Sequence, residues 1–232
     1  MPAPKTILLI ATSAARMDDG EPTGLWLEEL TTPYYAFRDA GADVTIASIS
    51  GGKIPVDPRS MKPAGENDAS VERALADPAF EAIASATPRF DTLDGDAYDA
   101  VFLPGGHGTM FDYPESTALA DLVARRLGAG TIVAAVCHGP AGLVSARDEH
   151  GVPVVKGRRL AAFTDSEERA VGLDKAVPFL LESRLRELGA LHVSGPDFAP
   201  FATRDGNLIT GQNPASAEAT AKLVMEALAE EA

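Results

Sequence analysis

Three runs of the chain, KTILLIAT (5–12), YDAVFLPGG (98–106) and TIVAAV (131–136), are apolar without the alternation of a half-buried strand. Strands of that kind are buried on both faces, which calls for a mostly parallel sheet with helices on either side. Helical spacing fills the intervals. EELTTPYYAFRDAG (28–41) ends on Gly41, and Pro33 inside it predicts a kink or a late start. STALADLVARRLGAG (116–130) has Ser116 in N-cap position. AVPFLLESRLRELGA (176–190) and PASAEATAKLVMEALAEE (214–231) are two further helices. ADVTIAS (42–48) reads as a second strand, VVKGRRLAAF (154–163) as paired strands, and ATRDGNLITG (202–211) as a hairpin around an Asp-Gly turn. Residues 51–96 are less regular, a Gly- and Pro-rich loop followed by short helices. Alternating strands and helices predict one doubly wound α/β domain across 1–232, without repeats or linkers.

The formal net charge is −14. So acidic a surface repels phosphate backbones and anionic lipid, which argues against nucleic-acid and membrane partners. A single cysteine cannot close an internal disulfide. The N-terminal stretch lacks a basic n-region, a long apolar core and a cleavage site, and no stretch approaches the ~20 apolar residues of a membrane span. A cytoplasmic protein is expected.

The single cysteine, Cys137, directly follows a buried strand in AAVCHGP (134–140), and HGPAGLVSA after it can start a helix. Strand, sharp turn, nucleophile, helix is the nucleophile-elbow arrangement. It needs small residues two before and two after the nucleophile, here Ala135 and Gly139. A free cysteine is otherwise most often a small core residue; this junction favours a reactive one. A thiol at a helix N-terminus is expected to have its pKa lowered towards thiolate. The His138 N–H would then point into the site as an oxyanion donor.

LPGGHGTMFDYP (103–114) ends another buried strand, and Gly105 and Gly106 can present N–H groups to an oxyanion. His107 reads as a loop residue. In FTDSEERAVG (163–172), Asp165 is expected to N-cap a helix with Glu168 three residues on. One of these acids could instead orient His138 as the third member of a Cys-His-acid triad. Glu28 and Glu29 follow the first strand; an acid beside a thiol would be pushed towards protonation and could move protons. His107, His138, His150 and His192 are scattered along the chain, so no metal site stands out, and GGHG lacks the spacing of a dinucleotide fingerprint.

TGLWLEELTTPYYAFRDAGADVTIAS, LPGGHGTMFDYPES, AAVCHGPAGL, FTDSEE and GNLITGQNPASA together resemble the ThiJ/PfpI superfamily, and within it the glyoxalase III-type stress proteins. The similarity runs from about residue 5 to 228. It implies a flavodoxin-like, class I glutamine amidotransferase-like sandwich, a homodimer, and a cofactor-independent conversion of methylglyoxal to lactate. By motif it implies Cys137 as nucleophile, His138 as base, Glu168 as acidic partner and Glu29 rather than Glu28 as the family glutamate. Gly106 and the His138 amide would form the oxyanion site. Independently of the resemblance, residues 51–96 are expected to form a small cap over the site. Amidase, peptidase, deglycase, holdase and redox-sensor readings stay open at this point. A glutaminase subunit is disfavoured by the lack of a His-x-Glu pair near the C-terminus.

Overall fold

In a computed structural model of the protein, which describes residues 3–230, the apolar runs lie side by side. The first half of the chain contains β1 (Thr6–Ala11), α1 (Leu27–Asp39), β2 (Asp43–Ser48), α2 (Ala69–Leu75), α3 (Pro78–Ser85), β3 (Ala100–Leu103), α4 (Thr109–Asp112), α5 (Thr117–Gly128) and β4 (Ile132–Val136). The second contains β5 (Arg159–Leu160), α6 (Asp165–Ala170), α7 (Leu181–Glu187), β6 (Leu191–His192), β7 (Ala202–Asp205), β8 (Leu208–Gly211) and α8 (Ala217–Glu230). The main sheet runs β2-β1-β3-β4-β8-β7, and only the β7–β8 pair is antiparallel. The chain steps outward to β2, returns across β1 to β3, and continues through β4. That reversal places the C-terminal ends of β1, β3 and β4 at a topological switch point, where open α/β sheets bind ligands.

Period-two side-chain alternation splits the core into two layers. Ile7, Leu9, Phe102, Ile132 and Ala134 pack with α1 and α8 through Leu30, Tyr34, Phe37, Val224 and Leu228. Leu8, Ile10, Val101, Leu103 and Val133 pack with α5 and α7 through Leu119, Val123, Leu127, Leu181 and Leu185. This is the expected doubly wound sandwich. Ser116 caps α5 by accepting the Leu119 N–H at 3.2 Å, and the hairpin turns at Gly206.

Several local expectations are corrected. α1 starts at Leu27, ahead of Pro33, so the late start does not occur. A proline there removes only the bond to the Glu29 carbonyl, and the buried face of α1 outweighs it. The segment 154–163 forms no pair of its own. Only Arg159–Leu160 is a strand, parallel to Leu191–His192 in a separate two-stranded sheet. α7 covers half the span expected of it. The 51–96 insertion packs on α1 and lines the cleft beside the site through Arg59 and Lys62. Val71, Ala74 and Phe80 of α2 and α3 join the α1 layer, while Pro55 to Asp57 run beside Gly24 and Leu25. α6 is capped by Thr164, not Asp165. Thr164 Oγ1 accepts the Glu167 N–H at 3.1 Å and Glu167 Oε2 accepts the Thr164 N–H at 3.0 Å, a full capping box. Thr164→Ala should cost about 1 kcal/mol in urea unfolding; no change in midpoint would contradict this cap.

Asp112 anchors the loop after β1. Its Oδ2 accepts from Thr12 Oγ1 at 2.8 Å, Ser13 N at 2.7 Å and Ala14 N at 3.1 Å, while the buried Oδ1 has no partner among the described residues. Burial pushes its pKa up to about 6 in spite of these donors. The folded state therefore holds this proton more tightly than the unfolded chain. The resulting stability is present below the unfolded value of about 4 and is lost as pH rises through about 6. Asp112→Asn keeps an acceptor oxygen but cannot ionise. The variant's Tm relative to wild type should climb across that window; a constant difference would refute the assignment.

Candidate active site

β4 runs buried into Cys137, whose φ of 59° is left-handed for a side-chain-bearing residue. Such a conformation costs about 1–3 kcal/mol. Two backbone bonds offset it, from Cys137 N–H to Gly211 O and from Phe163 N–H to Cys137 O, both 2.9 Å. The elbow reading of AAVCHGP thus has its geometry. A side chain at Gly139 would run into the Leu103 carbonyl, which explains the small residue there.

The 3₁₀ turn after the elbow spans only Gly139–Leu143, so its dipole is weak. The expected lowering of the thiol pKa does not occur. Cys137 is 3% exposed, and burial, followed by the adjacent Glu29 carboxyl, pushes the thiol well above its ordinary value. Its Sγ lies 3.2 Å from His138 Nδ1. On the other side of that ring, His138 Nε2 is 2.7 Å from Glu168 Oε2. Burial alone would raise the Glu168 pKa. The His138 and His107 imidazoles outweigh it and hold the carboxyl well below the usual range. An ionised carboxylate only accepts, so His138 Nε2 carries the proton and Nδ1 turns its lone pair to the thiol.

Glu29 is fully buried on α1, whereas Glu28 beside it is partly exposed. Glu29 Oε2 accepts the Gly105 N–H at 2.8 Å; its Oε1 is buried without a hydrogen-bond partner among the described residues, and the carboxyl adjoins the Cys137 thiol. Burial pushes Glu29 well above the carboxylate range, only partly offset by the thiol and the Gly105 N–H. Carboxyl and thiol cannot both ionise in this apolar pocket, and a protonated Glu29 satisfies both oxygens. The Gly105 N–H is thereby used, and Gly105 is removed from the oxyanion donors. The Gly106 and His138 N–H groups donate no hydrogen bond among the described residues. Gly106 has φ 100°, and a side chain there would strike the backbone of Gly24 to Trp26.

His107 is not a simple loop residue. It is buried, and its Nε2 lies 2.7 Å from Glu168 Oε1. Its ring centroid is 4.1 Å from that of His138. The histidines scattered in sequence thus converge in part: His107, His138 and Glu168 present ligand-type atoms within 4.8 Å of one another. The Nε2 of each imidazole already pairs with its own carboxylate oxygen. One signal in the sequence pointed here, a polar side chain directly after a Gly-Gly turn at the end of a buried strand. Phe163 packs on the outer side, its ring centroid 4.5 Å from that of His138. A cleft of about 300 Å³, lined by Trp26, Glu28, Arg59 and Lys62 among others, adjoins the segment that carries Glu29.

No helix among the described residues is long and apolar enough to cross a membrane. The chain is 35% identical to a probable glutathione-independent glyoxalase of Schizosaccharomyces pombe, over 98% of this chain and 100% of that protein. It is 33% identical to a glutathione-independent glyoxalase of Saccharomyces cerevisiae, over 97% and 99% of the two chains. Glyoxalase III from Candida albicans superposes with a TM-score of 0.85 at 30% identity, covering 96% of this chain and 97% of that one. The DJ-1/PfpI family profile matches residues 23–227, and the chain belongs to that family.

Proposed function

We propose that the protein is a glutathione-independent glyoxalase that converts methylglyoxal and water to lactate, acting as a single α/β domain. One observation carries this reading. A buried thiol sits between two proton carriers of opposite state, a base at His138 Nδ1 and a protonated acid at Glu29. Hydrolysis of an amide can be served by one histidine, which takes the nucleophile's proton and returns it to the leaving amine. Moving a hydrogen between adjacent carbons of a ketoaldehyde takes a proton from one carbon and adds one to the next, and a base and an acid on the two sides of the thiol supply both. Full-length similarity to proteins named as glyoxalases supports the same choice.

In this scheme Cys137 Sγ adds to the aldehyde carbon as its proton passes to His138 Nδ1. The new oxyanion is received by the Gly106 and His138 N–H groups and takes the proton back from His138, giving a hemithioacetal. His138 next removes the hydrogen of the former aldehyde carbon and passes it to the ketone oxygen, giving an enediol. Glu29 delivers its proton to the neighbouring carbon and takes up the proton of the hydroxyl on the sulfur-bearing carbon, leaving a thioester. Water hydrolyses it to lactate and regenerates the thiol. No redox equivalent is exchanged. Glu168 fixes the His138 tautomer and stabilises the imidazolium.

The resemblance supports a homodimer, and the single cysteine and acidic charge fit a reducing cytoplasm. The function is tested by assaying methylglyoxal and a chromogenic amide side by side without added thiol. Methylglyoxal loss with an inert amide is expected; rapid amide cleavage with inert methylglyoxal would sink the proposal.

A further inference from the structure

Glu168 has two histidines, and a Cys-His-acid unit uses one. Oε2 serves His138 and Oε1 serves His107, each at 2.7 Å. The second bond joins residues 61 positions apart and is buried. We propose that His107 is a positioning residue of the reaction, whose Nε2–H holds the Glu168 carboxylate in one plane and limits how strongly it pulls on the His138 proton. The proposal rests on the reading that Cys137, His138 and Glu168 act together.

A carboxylate with one donor can rotate and exchange its oxygens. Two donors at fixed places, one on each oxygen, leave a single orientation. His107 suits this task because it cannot exchange roles with His138. Burial, followed by the neighbouring His138, pushes its pKa down to about 4, so it stays neutral where the enzyme works. With Nε2 protonated towards the carboxylate, Nδ1 is a bare acceptor, buried and without a partner among the described residues. A residue retained only for packing would not carry such an unpaired nitrogen at a cost in stability. The Arg59 guanidinium acts on His107 and on Glu168, while Glu167 and Glu29 act on Cys137 beside His138.

The test compares His107→Phe, which keeps a ring but no donor, with His107→Gln, whose amide nitrogen can replace Nε2. For wild type and both variants, kcat and KM for methylglyoxal are measured across pH. His107→Phe should lose roughly ten- to a hundredfold in kcat with KM unchanged. Its acidic limb should move to higher pH, because an unshared carboxylate binds the His138 proton more tightly. His107→Gln should recover most of the kcat and return the limb towards wild type. A Phe variant with wild-type kcat and limb would overturn the inference, as would a Gln variant impaired to the same degree with the same limb. Should the Phe variant not fold, isotope-labelled histidine spectra of the wild-type protein decide. His107 protonated only on Nε2 throughout the active pH range is expected; an Nδ1-protonated or doubly protonated ring there would overturn the inference. Cys137→Ala is run alongside. Its retaining turnover would remove the underlying reading. An inactive Cys137→Ala beside a wild-type-like His107→Phe would remove only the role of His107.

Discussion

Cys137→Ala should lose roughly 10⁴-fold or more in lactate formation while remaining folded. The side chain removed is small and sits at the end of β4, where Ala134 and Ala135 are already tolerated. The elbow is held by its two backbone bonds, not by sulfur. In the proposed scheme no other group is free to form the covalent bond, because His138 Nδ1 serves as the base and Glu29 is protonated. A positive φ remains strained in the alanine variant, so its Tm should stay close to wild type. Turnover within tenfold of wild type would mean that the nucleophile lies elsewhere.

Glu29→Gln should lower kcat by about 10²- to 10⁴-fold. The amide can accept the Gly105 N–H through its oxygen and turn its nitrogen to Cys137, so both contacts survive. What it lacks is a transferable proton. KM should hold, because the substituted group has the same shape. The thiol gives a second readout. A protonated Glu29 turns its O–H to the sulfur and favours the thiolate, and an amide N–H is a weaker donor. Glu29→Gln should therefore leave the thiol no easier to ionise. Ultraviolet titration of thiolate checks this, and a markedly lower thiol pKa in the variant would contradict a protonated Glu29.

The layered sheet was readable from the sequence because each buried strand is a short apolar run bounded by Gly, Pro or charge. TIVAAV and the ATRDGNLITG hairpin correspond closely to β4 and to β7–β8. The elbow was readable because its sterics act on residues two apart, Ala135 and Gly139. Glu29 against Glu28 could be chosen only by similarity, since which acid faces inward depends on the rotation of α1. The cap of α6 was misread because Thr164 and Asp165 are both good N-cap residues, each followed three positions later by a glutamate. The state of the thiol was misread for a different reason. A helix dipole is a local effect and visible in sequence, whereas the burial that outweighs it is assembled from α1, the turn after β3 and the 163–168 segment. The His107–Glu168 bond is likewise a tertiary event, with no spacing rule linking a Gly-Gly-His turn to an acid 61 residues later.

The most direct test follows methylglyoxal by proton NMR in heavy water without glutathione. The expected result is one lactate for each methylglyoxal consumed, with deuterium on the carbon next to the methyl group, because Glu29 delivers a solvent-exchanged proton while His138 passes the one it removed to oxygen. Methylglyoxal loss without lactate would contradict the proposed function. Lactate that retains the aldehyde hydrogen at that carbon would contradict two separate proton carriers around Cys137.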